Sequence, residues 1–167
     1  VGTQKLPESQ MDRFMIRVTM GYPSVEDEVS IMKSKTGGLS NRVLSKNVIN
    51  AQDFMAMRDI VDEVYVDDSI YEYVAKIVAK TRDSEDILQG ISPRGSISII
   101  NMAKAEAFLR GHDYVLPSDI QFVLNDTMAH RIILNRSLKR GHITEESVID
   151  SICRSVDVPK IGTRGIL

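Results

Sequence analysis

Cysteine is nearly absent from this sequence, apolar runs are short, positive charge is not in excess, and a glycine followed directly by lysine never occurs. Each absence removes a class of function. One cysteine, Cys153, allows no internal disulfide and suits a reducing compartment, so a cytoplasmic location is expected. No apolar run approaches the roughly 18 to 20 residues that cross a bilayer. The N-terminus carries neither a basic region nor an apolar signal core, so no membrane span is expected. A formal net charge of -2 leaves no basic field to hold a nucleic acid by its phosphates, and no nucleic-acid partner is expected. Without Gly-Lys there is no G-x-x-x-x-G-K-S/T, and so no P-loop to cradle a nucleotide. The chain begins at Val1, without an initiator Met, and reads as a piece of something longer.

What is present is a globular composition. Apolar residues make up 43% and charged residues 26%, which excludes a disordered or fibrous chain. At 167 residues there is enough for one good core with an appendage from a neighbour. From Val1 to Tyr22 the text reads as loop, short helix and strand, the strand being Phe14-Met15-Ile16-Arg17-Val18. It has no obvious partner strand. An unpaired strand is an edge that seeks company, so this one is expected to self-associate or to tuck against the rest of the chain.

After Gly21-Tyr22-Pro23 the period becomes helical. Ser24 is expected to cap a helix with Val25, Val29 and Met32 on one face, ending at Gly37-Gly38, before an irregular connection from Thr36 to Ile49. Asn50 with Asp53 opens a second helix, striped by Phe54, Met57, Val61 and Val64. A third is predicted from a Ser69 and Glu72 capping box to about Thr81, its face formed by Ile70, Tyr73, Val74, Ile77 and Val78. Ser92-Pro93 starts a fourth, apolar on most sides to Arg110 and stopped by Gly111, which suits the centre of a bundle. Pro117 to Met128 and a segment capped by Thr144 complete the set, with a short extended piece between His130 and Leu134.

Two places can carry chemistry. In Gly90-Ile91-Ser92-Pro93-Arg94 the proline fixes the first helical turn and Arg94 stands beside free amides. A cation there opposes the helix dipole at a cost of about 0.3–1 kcal/mol, unless an anion is bound by amides and guanidinium together. A phosphate would suit, and the plain alternative is an Arg94 that pairs with a carboxylate or reaches solvent. The second place is Asp12-Arg13, at the end of a short helix before the strand, where a side chain can project across an interface or form a surface ion pair.

Other residues read as structural. Asp27-Glu28 and Asp62-Glu63 fall within helical patterns, not at strand ends, so neither is a metal-binding acidic box. His112, His130 and His142 have no ligand spacing with Cys153 or one another, and no metal site is expected. Cys153 reads as a buried structural thiol.

The segments Gly2-Thr3, LPESQMDRF (residues 6–14), Gly21-Tyr22-Pro23, the GISPR block (90–94) and RGHDYV (110–115) followed by Pro117-Ser118-Asp119-Ile120, in this order and spacing, resemble the MoxR family of AAA+ ATPases. The resemblance spans essentially the whole chain. It implies a mainly α fold: a helical-bundle AAA+ lid domain, residues 22–167, preceded by a short helix and strand left over from an α/β P-loop core, residues 1–21. It implies that Arg13 is an arginine finger acting in trans on a neighbour's ATP and that Arg94 is the sensor 2 arginine. Ser92, Pro93 and Arg94 would lie near the ATP phosphates, in cis or in trans.

The resemblance further implies ATP and Mg²⁺ as cofactors of the full-length parent, with none expected in this fragment, where catalysis is expected to be absent. It implies a homo-oligomeric, hexameric ring, chaperone-like work on clients and a von Willebrand A-domain partner. Gly95, where the family usually has alanine, is expected to lose up to about 1 kcal/mol of helix propensity. Leu116 replaces the usual Ser or Thr cap. The rival reading is a non-enzymatic helical interaction module; a helix-turn-helix nucleic-acid binder fits the helix lengths but not the charge.

Overall fold

The computed structural model describes residues 6–36, 48–137 and 143–160. Its elements are α1 (Glu8–Met11), α2 (Val25–Thr36), α3 (Ala51–Glu63), α4 (Asp68–Asp83), β1 (Ile87–Gln89), α5 (Pro93–Leu109), α6 (Pro117–Met128), β2 (Ile133–Leu134) and α7 (Glu145–Arg154). Gly2-Thr3, the expected stop at Gly37-Gly38, most of the irregular connection and His142 lie outside the described residues.

The core is built by α4 to α7. Ile70, Tyr73, Val74, Ile77 and Val78, the stripe expected from spacing, are all buried, and with them Ile99, Ala103, Ile120, Leu124 and Ile149. Each such side chain contributes about 1.5–3 kcal/mol by leaving water. The small Ala103 and Ala107, fully buried, let α5 lie close to its neighbours at the centre of the bundle.

Local signals set the helix ends. Asn50 and Asp53 form a reciprocal capping box for α3, and Ser24 accepts from the Asp27 amide at the start of α2. For α4 the expected cap is displaced. Asp67, not Ser69, is the N-cap: its carboxylate accepts from the Ser69 amide at 2.9 Å and from the Ser69 hydroxyl at 2.6 Å. A carboxylate outcompetes a hydroxyl there because it accepts both bonds and answers the helix dipole. Leu116 offers no cap to α6, and Asp119 compensates by accepting from the Leu116 amide at 2.8 Å.

Short β pairings tie the bundle's loops. β1 and β2 pair antiparallel, Ile87 opposite Leu134 and Gln89 opposite Ile133. The Tyr65 amide donates to the Asp113 carbonyl, and the Val115 amide to the Tyr65 carbonyl, each at 2.9 Å, making a parallel bridge. Neither β1 nor this bridge carries a sequence signal long enough to read.

The expected strand at 14–18 does not form: Phe14 and Met15 are in a bend, and the segment joins neither strand of the sheet. Its Arg17 amide finds a single backbone partner, the Asp126 carbonyl at the end of α6, at 2.8 Å. Without a sheet edge beside it, the segment takes the other expected course and tucks against the bundle.

The two helices just before the core add nothing to its buried interior, although α3 touches α5. Neither α2 nor α3 buries a side chain, and Phe54, Met55 and Ile60 of α3 are about half exposed. The Lys104 ammonium of α5 donates to the Asp62 carbonyl at 2.7 Å, tying the end of α3 to the bundle.

Candidate phosphate-facing site

The start of α5 is held from below by three contacts. The Ile91 amide donates to the Thr81 hydroxyl at 3.0 Å, and Arg82 Nε to the Ile91 carbonyl at 2.9 Å. Gly90 lies so close to α4 that an added Cβ would come within 2.8 Å of the Thr81 carbonyl and 2.9 Å of the Arg82 Cα. Backbone cannot yield as a side chain can, so only glycine fits. Ser92 then caps the helix, accepting from the Gly95 amide at 3.3 Å, and Pro93 fills the first turn.

An anion does meet this helix end, and it belongs to the chain itself. The Ser92 hydroxyl donates to both carboxylate oxygens of Asp12, each at 3.0 Å. Behind Asp12 lies Arg131, 4% exposed, with its Nε 3.3 Å from an Asp12 oxygen. The same guanidinium donates to the Ser98 hydroxyl at 2.9 Å, to the carbonyls of Phe14 at 2.6 Å and Met15 at 3.2 Å, and to the Thr127 carbonyl. One planar, permanently charged group thus ties α5, α6 and the N-terminal segment together.

His130 adds a further tie. Its Nε2 lies 2.9 Å from the Phe14 carbonyl, which can only accept, so Nε2 carries the hydrogen. Burial pushes this imidazole below its ordinary pKa; the Phe14 bond and Asp12 oppose the shift, and the charges of Arg131 and Arg17 add to it. The ring is neutral at neutral pH. At the outer end of the segment Arg17 pairs with Glu146 at 2.9 Å, an exposed contact worth about 0–1 kcal/mol.

The two arginines singled out by sequence flank this knot. Arg13 follows Asp12 directly, and Arg94 sits two residues beyond Ser92. Both are exposed, and neither guanidinium makes a hydrogen bond or ion pair among the described residues. Arg94 is close enough for its charge to reinforce the lowering of the Arg131 pKa, which burial dominates and Asp12 opposes. Of the two plain alternatives for Arg94, the solvent-reaching one describes its state here. The Asp12-Arg13 pair is likewise not a surface ion pair, because Asp12 is committed to Arg131 and Ser92.

Sequence reasoning missed Asp12 as an anchor and missed Arg131 entirely. The available signal was two polar residues, His130-Arg131, set between Met128 and Ile132, which a fold buries only if their polar groups are satisfied. Gly95 was misjudged in sign. An added Cβ would stand 2.5 Å from Ile91 Cγ2 and 3.2 Å from Arg131 Cδ, so glycine makes room for the knot.

Asp27-Glu28 lies in α2 and Asp62-Glu63 at the end of α3. Among the described residues no three His, Cys, Asp or Glu side chains group as metal ligands, and no helix is long and apolar enough to cross a membrane. Cys153 is half-buried, less enclosed than expected, with its sulfur 3.6 Å from the Tyr73 hydroxyl.

Residues 79–152 of this helical bundle match the AAA lid domain. The chain is 39% identical over 158 residues to the uncharacterized protein YeaC of Bacillus subtilis, covering 95% of this chain and 49% of that protein. It is 31% identical over 169 residues to Chaperone MoxR1 of Mycobacterium tuberculosis, covering 96% and 44%. A solved structure from Cytophaga hutchinsonii, described as a candidate ATPase, superposes with a TM-score of 0.81 at 32% identity, covering 96% of this chain and 51% of that one. The chain belongs to the MoxR family of AAA+ ATPases, as its lid-bearing C-terminal portion. It spans about half the length of the curated relatives it matches.

Proposed function

We propose that this chain supplies two phosphate-facing arginines to an ATPase that couples ATP hydrolysis to chaperone-like remodelling of client proteins. The observation that carries the reading is that Arg94 projects, exposed and without an ionic partner among the described residues, from a helix start whose backbone is fixed by Thr81, Arg82 and the Ser92 cap. A fixed base with a free guanidinium is the arrangement that serves an incoming phosphate without reorganisation. In this reading Arg94 acts as sensor 2, with Ser92 and Pro93 setting the helix end near the ATP phosphates. Arg13 acts as the arginine finger on the ATP of the next subunit.

The fit to the cofactors is uneven. Two guanidiniums without an ionic partner among the described residues suit the oxygens of a triphosphate. The described residues offer no acidic group suited to Mg²⁺, so the metal's ligands and the P-loop belong to the rest of the parent protein. The boundary proposed between core remnant and lid remains at residues 21 and 22. A homo-oligomeric ring, hexameric by family habit, a cytoplasmic location and a von Willebrand A-domain partner belong to the same proposal, as does the inactivity of the isolated fragment. Chaperone MoxR1 supports the chaperone-like part by its name.

The test is Arg94→Ala in the full-length parent. Loss of one preorganised donor lowers turnover by about 10²–10³, while the melting temperature stays within a degree or two because the side chain is exposed. Unchanged turnover excludes the role. A second reading, a non-enzymatic interaction module, is favoured by the exposed Phe54, Met55 and Ile60 of α3. It predicts no ATP turnover in the full-length protein at all.

A further inference from the structure

We propose that Arg131 is a positioning residue that couples the two phosphate-facing arginines, by clamping Asp12, the neighbour of Arg13, onto Ser92, the cap of the helix that carries Arg94. The role of the two arginines rests on the function proposed above; the clamp rests on contacts within this chain.

Three observations carry it. First, the contacts converge. Arg131 reaches Asp12, Phe14 and Met15 on the N-terminal segment, and Ser98 and Thr127 on α5 and α6. Arg13 is therefore bracketed, with both chain neighbours held by one guanidinium. A residue whose neighbours are both anchored has little freedom in where its side chain departs from the backbone.

Second, the clamp is single. Among the described residues the side chain of Asp12 is held by Ser92 and Arg131 alone, while the segment after it relies on His130, Arg131 and the Arg17 contacts. No apolar side chain of residues 12–18 is buried. The segment is docked by polar groups around one cation, so its docking responds to charge. A packed apolar interface would not.

Third, the clamp lies under the site without being part of it. Arg131 is enclosed, and it meets the helix bearing Arg94 through Ser98 and the close approach at Gly95. The start of α5 and Arg13 are joined through Ser92, Asp12 and Arg131, so a displacement of either end bears on the other. The finger offered to one nucleotide is thereby linked to the lid that senses another. This is a coupling between two sites, and by linkage it acts in both directions.

The experiment uses the full-length protein with Asp12→Asn, Arg131→Lys, Arg13→Ala and the double variant Asp12→Asn/Arg13→Ala. Two quantities are read, ATP turnover with its KM and hydrogen exchange of the backbone amides of residues 12–17. Asp12→Asn keeps a hydrogen-bond acceptor and loses the charge; Arg131→Lys keeps the charge and loses the fork. With the fold intact by melting temperature, each is expected to lower kcat about tenfold with KM within twofold, and to speed exchange at 12–17 about tenfold. The double variant is expected to be no slower than Arg13→Ala alone, because Asp12 acts through Arg13.

A purely structural Asp12 gives losses that multiply in the double variant, and that result overturns the coupling. Turnover and exchange that both stay at the wild-type level in a folded Arg131→Lys protein also overturn it. A wild-type protein that does not hydrolyse ATP defeats the function proposed above and not the clamp. In that case unchanged exchange at 12–17 in Arg131→Lys overturns the clamp, and faster exchange there supports it.

Discussion

The carboxylate of Asp12 receives the hydroxyl hydrogen of Ser92, 3.0 Å from either oxygen, across eighty residues of sequence. A carboxylate at a helix start satisfies the dipole that an exposed Arg94 opposes. The chain thus carries its own anion at the place where sequence alone suggested a phosphate. Asp12 takes the cap hydroxyl and leaves the Arg94 guanidinium free, so the two anions need not compete for the same group.

The enclosed guanidinium predicts a large stability effect with a clear asymmetry. Arg131→Met leaves the Asp12 charge without its cation and the carbonyls of Thr127 and Met15 without the guanidinium donor. It is expected to cost about 3–5 kcal/mol, as when one partner of a buried pair is removed. Asp12 keeps 23% of its side-chain exposure, and Asp12→Asn is expected to cost about 1 kcal/mol or less, nearer a surface pair. Urea unfolding of both variants checks this; equal losses contradict it.

Gly95→Ala is expected to destabilise, although alanine is the better helix former by about 1 kcal/mol. The added methyl meets Ile91 Cγ2, which is buried and β-branched and cannot swing away. Overpacking of this kind costs about 1–3 kcal/mol. Ile91→Ala removes the obstacle, so the double variant should be more stable than the sum of the singles allows. Additive losses would show that the contact is relieved elsewhere.

Stability should fall in mild acid through His130. Its folded pKa lies below the ordinary value, so the unfolded chain takes the proton first. The contribution is fully present above about pH 6.5, the unfolded value, and is lost as pH drops from there toward the folded pKa, by at most about 1.4 kcal/mol per pH unit. His130→Gln keeps a donor for the Phe14 carbonyl and removes the titration. Melting temperatures from pH 7.5 to 5.5 should therefore fall more steeply for the natural chain, and parallel profiles would rule out His130 as the source.

Asp119→Ala tests the replacement cap of α6. Asp119 is fully buried and accepts from the Leu116 amide, and its loss should cost about 1–2 kcal/mol. Introducing Ser at Leu116 alongside it should recover part of that loss. No recovery in thermal unfolding would mean that the carboxylate serves some other purpose.

The bundle was legible because its signals are local. Ile70 to Val78 repeat at helical spacing, Ser92-Pro93 and Pro117 mark helix starts, and Asn50 with Asp53 forms the box its spacing suggests. The errors lie where two neighbouring groups compete for one bond or where a partner far along the chain decides. Ser69 lost the cap to Asp67 by a short-range competition between hydroxyl and carboxylate. Phe14 to Val18 had strand propensity but, among the described residues, found no strand partner: it meets the Asp126 carbonyl, the side chains of His130 and Arg131 just after α6, and Glu146. The candidate site was read as two separate arginines. What joins them is Arg131, whose partners are more than a hundred residues away on one side and thirty-three on the other, a distance no periodicity reports.

The central claim is that Arg13 serves a neighbouring subunit's ATP while Arg94 belongs to the lid. Mixing full-length Arg13→Ala subunits with subunits whose P-loop lysine is replaced measures it most directly. Each variant alone should retain only a small residual turnover, and mixed rings, verified by mass, should regain a clearly larger fraction, because an intact finger from one variant meets an intact P-loop from the other. Verified mixed rings that stay as inactive as the separate variants would contradict the account.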